Sequence, residues 1–450
     1  MKRIPGIVAI TILARFCAPA QEAEIRDPQI EQMVRDVSAD SLHAVIERLV
    51  GFGTRHTLSR SDGAARGIGA AREWILARFR EWGKNSEGRL TASIDTTTVP
   101  PDGKRINVPV LVGNVVGTLK GTDPADSRVY VISGHLDSRV TDVMNSTADA
   151  PGADDDGSGT AAVIECARVM SRYRFPATIL FAVVSGEEQG LFGSTYMAGK
   201  AKSEHMNVDA VLNNDIMGGS ASGETRIVDN THVRVFSEGL PAYELDKNAG
   251  RIRALGLEND GKPRQLARYV REMCDRYVPN LEAVMIYRND RFLRGGDHTP
   301  YVENGFAAVR ITEMNEDYRH QHQDVRTEGG VKYGDLPEFI DFEYLRKNTS
   351  LNLACLASLA KSPPPPRDVT VEVRRLTNST SLSWKAPAAG TPKGYYVLMR
   401  ATTSPVWEKK TFTASTEIQL PYSKDNYFFA VQSVSDTGNE SLPVVPSIGR

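Results

Sequence analysis

Residues 178–190 read TILFAVVSGEEQG, so that Thr178 and six apolar residues run straight into Ser185-Gly186-Glu187-Glu188. An unbroken apolar run of this length, closed by a glycine turn, is the pattern of a strand buried on both faces. Such strands belong to sheets covered by helices. The flanking sequence fits the same scheme. Val108–Val116 alternates like a strand, and Val129–Ser133, Val208–Leu212 and Ala307–Ile311 are short apolar runs. Thr160–Tyr173 and Leu191–Lys202 carry helical spacing between them. This alternation predicts an α/β domain with a mixed, mostly parallel sheet flanked by helices. In such sheets a ligand site lies beyond the carboxyl ends of the strands.

Outward from this centre, residues 27–85 read as helical, interrupted at Gly51-Phe52-Gly53-Thr54-Arg55-His56, and Gly261–Arg276 and Glu338–Lys361 read as two later helices. Ser362 and four prolines, Pro363 to Pro366, form a stiff linker. Beyond it Val369–Val373, Ser381–Trp384, Gly394–Arg400, Glu417–Leu420 and Asn426–Ser435 are short strands at regular spacing, as in a β-sandwich. The expected organisation is a catalytic domain over residues 27–361, the linker 362–366 and a sandwich over 367–450.

At the N-terminus Lys2 and Arg3 precede a mostly apolar stretch from Ile4 to Cys17, and Ala18-Pro19-Ala20 offers small residues for cleavage before Gln21. Residues 1–20 therefore read as an export signal, which points to a periplasmic or extracellular protein. Cleavage there leaves Cys166, Cys274 and Cys355, enough for at most one disulfide, and the apolar helical settings of Cys166 and Cys355 favour buried thiols. No other apolar stretch reaches the roughly 18 residues of a membrane span. The net charge of −2 over 450 residues, with no basic stripe, excludes a nucleic-acid binder.

The chemistry lies in the loops after the strands. His135, in Ser133-Gly134-His135-Leu136-Asp137-Ser138, can present a ring nitrogen to a metal while Asp137 accepts the other ring N–H. Asp154, Asp155 and Asp156 stand between glycines; three adjacent carboxylates repel unless cations neutralise them, and one carboxylate can bridge two metals. An acidic helix start or a calcium loop is the plainer alternative, although the alternate-position oxygen ligands of a calcium loop are missing. Glu188 can bind a metal and leave Glu187 as general base. Asp215 follows another strand, and Tyr318–Asp324 holds His320 and His322. Carboxylates mixed with imidazole suit zinc, with cobalt or manganese as substitutes.

The motifs Ser-Gly-His-Leu-Asp-Ser, Gly-Ala-Asp-Asp-Asp-Gly-Ser-Gly, Ser-Gly-Glu-Glu-Gln-Gly-Leu-Phe-Gly-Ser and Asn-Asp-Ile-Met-Gly make residues 40–361 resemble the exported co-catalytic di-zinc aminopeptidases, of the bacterial leucyl and vacuolar aminopeptidase Y type. Glutamate carboxypeptidase and glutaminyl cyclase share that zinc exopeptidase fold. The resemblance implies that His135 and Asp215 hold one zinc, Glu188 and a late histidine hold the other, Asp155 bridges them, Glu187 is the base and Asp137 supports His135. Gly296-Asp297-His298-Thr299-Pro300 resembles the family's substrate-side loop. The family shows Tyr-His with an acid four residues later. Here Arg319 intervenes, and the spacing to Asp324 selects His320, with His322 the alternative. The expected activity is removal of N-terminal residues from peptides with a free N-terminus. The alternatives are a carboxypeptidase or cyclase of the same fold, or a non-catalytic binding protein. The C-terminal segment resembles a fibronectin type III module, a candidate for surface or matrix contact.

Overall fold

The computed structural model describes residues 25–62 and 65–449; the expected export signal lies outside them. The apolar runs assemble into one eight-stranded sheet: β1 (Leu90–Val99), β2 (Val110–Leu119), β3 (Arg128–His135), β4 (Thr178–Val184), β5 (Asn207–Asn214), β6 (His232–Phe236), β7 (Glu282–Ile286) and β8 (Ala308–Glu313). Their order is β1-β2-β4-β3-β5-β8-β6-β7. The centre, β4-β3-β5-β8, is parallel, while β2 meets β4 and β6 meets β8 antiparallel. The sheet is thus mixed, as the sequence predicts.

Helices cover both faces. The period-2 geometry of a strand splits β4: Ile179, Phe181 and Val183 enter the large core, and Leu180, Ala182 and Val184 enter a second, smaller one. The large core is closed by α1 (Pro28–Arg35), α2 (Ala39–Val50), α3 (Ile68–Lys84), α4 (Gly157–Met170), the later helix Lys262–Tyr277 and the closing helix Phe342–Lys361. The small core packs Ala198 and Ala201 of Phe192–Ser203 with Tyr301 and Val302 of His298–Glu303. Cys166, Cys274 and Cys355 are buried free thiols. No helix among the described residues is long and apolar enough to cross a membrane.

The C-terminal segment forms a four-stranded and a three-stranded sheet. They share a core in which Trp384 meets Tyr395 edge-on and packs with Val371, Val397 and Val431. This sandwich is not a loosely tethered spacer. Glu440 pairs with Arg276 (3.1 Å) and Lys410 (2.9 Å), and Lys410 also reaches Glu272 (3.0 Å). Asp260 joins Arg268 (3.0 Å) to Arg400 (2.7 Å), and Tyr269 donates to the Glu440 carbonyl (3.0 Å). The linker is bonded as well, since Arg128 donates to the Ser362 carbonyl (2.6 Å). Tyr287, stacked beneath Arg264 at 3.5 Å, lies with its hydroxyl 3.4 Å from the Pro405 carbonyl.

Candidate metal centre

Register brings the candidate ligands to one edge. His135 pairs with Val184 and Ser133 with Asn213, so β3, β4 and β5 end together, and the residues just beyond them emerge side by side. Helix α4 is pressed against these ends through glycines. A Cβ on Gly134 would meet the Gly159 carbonyl carbon at 2.6 Å, and one on Gly159 would meet the Asn214 oxygen at 2.5 Å. That contact delivers the acidic loop to the site. Asp156 caps α4 by accepting from the Gly159 N–H, and its carboxylate also accepts from the His135 N–H (2.8 Å).

Two overlapping trios result. His135, Asp155 and Asp215 each offer a ligand atom within 4.8 Å of the others, and Asp155, Glu188 and His322 do the same. His135 Nε2 lies 3.2 Å from Asp155 Oδ1 and 3.9 Å from Asp215 Oδ1. His322 Nε2 lies 2.9 Å from Asp155 Oδ2 and 3.0 Å from Glu188 Oε1. Asp155 therefore faces both groups, one oxygen to each.

The chemistry of the donors fits divalent cations. His135 Nδ1 is used on the Asp137 carbonyl at 2.9 Å. With the ring proton there, Nε2 has only a lone pair to offer two carboxylates, a repulsive arrangement unless positive charge lies between them. Glu188 Oε1 is buried and receives no hydrogen bond. Without a cation a second ring proton, on His135 Nε2, would have to take that place: burial works against a charged His135, yet the surrounding carboxylates, Asp156 foremost, raise its pKa well above the usual imidazole range. Burial first, then the like charges of Glu188 and Asp215, push the Glu187 carboxyl well above its ordinary range. Such a cluster of buried acids needs cations for full ionisation.

Two sequence expectations change. His320 does not join the cluster: its ring stacks on Phe339 at 3.6 Å, and its Nε2 lies 4.0 Å from Asp317. The chain turns through a left-handed residue at His322 (φ 56°), which swings that side chain inward instead. Asp137 supports His135 through its backbone carbonyl. Its carboxylate accepts from the N–H groups of Gly186 (2.9 Å), Glu187 (3.3 Å) and Glu188 (3.1 Å) and from the Thr57 hydroxyl (2.8 Å), so it fixes the loop bearing the base. Residues 139–151, the loop that leads to the acidic run, are tied down along their length. Arg139 binds Glu188 (3.0 Å), and the Val143, Ala150 and Pro151 carbonyls all accept hydrogen bonds, the last from Arg55 at 2.6 Å.

The roles of Asp335 and Arg55 went unnoticed in the sequence. Asp335 accepts the backbone N–H groups of Asp154 (2.8 Å) and Asp155 (2.7 Å) and so orients the shared carboxylate. Buried Arg55 ties Leu136 to Gly152 through their carbonyls (2.8 and 2.7 Å). Arg310 reaches Asp215 Oδ2 at 3.1 Å. Neither Asp335 nor Arg55 stands in a motif that marks it. Asp297, expected on the substrate side, accepts from the Ser194 hydroxyl (2.5 Å), and burial raises its pKa to about 7.

Comparison with known proteins agrees with this geometry. The model of peptidase family M28 matches residues 114–328, a span that contains His135, Asp155, Glu187, Glu188, Asp215 and His322. A probable zinc metalloprotease from Leptosphaeria maculans is 45% identical over 432 residues, covering 96% of this chain and 98% of that protein. The chain belongs to peptidase family M28. A second probable zinc metalloprotease, from Pyricularia oryzae, is 44% identical over 435 residues, covering 95% of this chain and 86% of its own length. Solved structures share the M28 fold at low identity. LapB from Legionella pneumophila has a TM-score of 0.54 and 18% identity, covering 74% of this chain and 75% of its own. An aminopeptidase from Aneurinibacillus has a TM-score of 0.51 and 14% identity, covering 74% and 96%. This M28 protein is a zinc-dependent peptidase, and its substrates are peptides.

Proposed function

We propose that the chain is an exported aminopeptidase that holds two zinc ions and uses Glu187 as its general base. The observation that carries this reading is the pair of ligand trios meeting at Asp155, with Glu187 lining the same cleft and belonging to neither trio. His135 and Asp215 would hold one ion and Glu188 and His322 the other, with Asp155 between them. Bound zinc would supply a Lewis acid for the scissile carbonyl and a lower pKa for water. Glu187 takes the proton of the attacking water and returns it to the leaving nitrogen. Asp137 keeps that carboxylate aimed by holding three consecutive backbone N–H groups. Strand spacing after Pro366 supports a fibronectin type III-like sandwich, and its ionic docking favours a structural role over surface attachment. Residues 1–20 support export.

The test uses purified protein and peptides with free or acetylated N-termini. Hydrolysis confined to free N-termini, abolished by chelation and restored by zinc, is expected. Glu187→Gln is expected to keep its metal content and lose roughly 10²–10⁴-fold in turnover, the usual worth of a general base. A near-normal rate in that variant removes Glu187 from the mechanism, and hydrolysis of acetylated peptides alone removes the aminopeptidase reading.

A further inference from the structure

The cleft over the metal centre has a volume of about 320 Å³, and four arginines line it: Arg105, Arg139, Arg291 and Arg294. They come from separate parts of the chain and stand beside the four carboxylates Asp155, Glu187, Glu188 and Asp215. Two of the arginines have partners of their own. Arg139 is held by Glu188 (3.0 Å), and Arg291 pairs with Glu316 (2.6 Å) and Asp290 (3.3 Å). The other two are exposed and lightly bonded. Arg105 donates Nη1 to the Glu188 carbonyl (2.5 Å), and Arg294 has a 3.4 Å contact with Gln321 Oε1. A guanidinium carries five N–H donors, so most of those on Arg105 and Arg294, both lining the cleft, have no protein acceptor among the described residues.

Charge decides what such a cleft admits. Its guanidinium groups match its carboxylates one for one before any cation is counted. Two divalent ions at the trios outweigh Glu316 and Asp290, the carboxylates that hold Arg291, and leave the cleft positive by about two charges. That field opposes a substrate whose only charge is an α-ammonium and favours one that also brings an anion. A planar fork prefers a carboxylate, which it can bind through two parallel hydrogen bonds. The volume is at the small end for ligand clefts, which run from roughly 300 to 1,000 Å³. A carboxylate held at its wall therefore lies within a residue or two of the bond being cut.

We propose that Arg105 and Arg294 receive a substrate carboxylate, so that the preferred substrates are short peptides with a carboxylate next to the scissile bond. Its source is either an acidic side chain at the second residue or the C-terminus of a dipeptide. The assignment rests on the peptidase reading and deepens it by naming the substrate class.

Four substrates separate the cases: Leu-Ala amide (neutral), Leu-Ala with a free C-terminus, Leu-Glu amide and Leu-Lys amide. The expected result is a kcat/KM at least about tenfold higher for one or both carboxylate substrates than for Leu-Ala amide, and lowest for Leu-Lys amide. The one that gains identifies the carboxylate's source. In R105Q and R294Q the ratio to Leu-Ala amide is expected to fall toward one, and it should shrink in the native enzyme at high salt. Equal rates for all four, or a preference that survives both substitutions, overturns the assignment. Calorimetry with zinc-loaded Glu187→Gln protein gives a second readout independent of turnover: the carboxylate substrate that gains should bind more tightly than Leu-Ala amide, and adding R105Q or R294Q should remove that difference. Equal binding of Leu-Ala, Leu-Glu amide and Leu-Ala amide counts against the proposal. If only N-acetylated peptides with a free C-terminus are cut, the aminopeptidase reading falls and the arginine assignment stands.

Discussion

Replacing His322 or His320 with alanine gives opposite outcomes on the geometry described here. His322 Nε2 sits 2.9 Å from Asp155 and 3.0 Å from Glu188 and completes one trio. A four-ligand zinc site is worth roughly 10–16 kcal/mol, so one ligand lost accounts for about 3–4 kcal/mol. That corresponds to affinity weaker by roughly two to three powers of ten. His320 instead contributes a stacked contact with Phe339 at 3.6 Å. Removing it is expected to cost about 0.5–1.5 kcal/mol of stability and no metal. The assay is elemental analysis after dialysis against a weak chelator, followed by competition titration with zinc. The His322→Ala protein should keep about one zinc per chain after that dialysis, and the His320→Ala protein about two, with a slightly lower melting temperature. A loss of zinc from His320→Ala with retention in His322→Ala would refute the inward turn at His322 and return the ligand role to His320.

Two further outcomes follow from buried charges that are not metal ligands. Burial would raise the Asp290 pKa, but Arg310 first and then His298 and Arg291 bring it down to about 2. A depressed folded-state pKa stabilises fully above the unfolded value near 3.9 and is lost as pH falls toward 2, about 2–3 kcal/mol in all. The stability gap between native protein and Asp290→Asn, measured by urea unfolding, should therefore close between about pH 4 and pH 2; a gap independent of pH contradicts the pairing. Glu440 is buried between Arg276 and Lys410, and those cations outweigh burial to hold its pKa below the usual range. Glu440→Gln is expected to lose about 3–5 kcal/mol, as when one partner of a buried pair is removed. Calorimetry should then show one lowered transition for the whole chain, and an unchanged melting point would show that the sandwich does not stabilise the catalytic domain.

Much of the fold was legible because burial on both faces forces unbroken apolar runs. Thr178–Val184 has the same bounds in sequence and structure, and β3, β5 and β8 differ from their expected bounds by a few residues at most. The strand Leu90–Val99 escaped notice because it is an edge, rich in threonine and only partly buried, with no apolar run to mark it. His232–Phe236 and Glu282–Ile286 are five residues each and lie at the far edge of the sheet, too short for a period to show. At the metal centre His135, Asp155, Glu188 and Asp215 could be found because each follows a strand or opens a helix. The last ligand could not be chosen by counting residues. His320 and His322 lie in one loop, and backbone direction at a single left-handed residue decides which ring turns inward. The roles of Asp335 and Arg55 depend on contacts across 180 and 97 positions, which no local pattern encodes.

The contact between Tyr287 and Pro405 places the sandwich at the foot of the segment that carries Arg291 and Arg294. A graft that exchanged this module for another of the same fold would therefore shift more than thermal tolerance. It would also replace the surface against which Tyr287 rests, four residues before Arg291, so an exchange made for stability alone would be felt at the wall of the cleft.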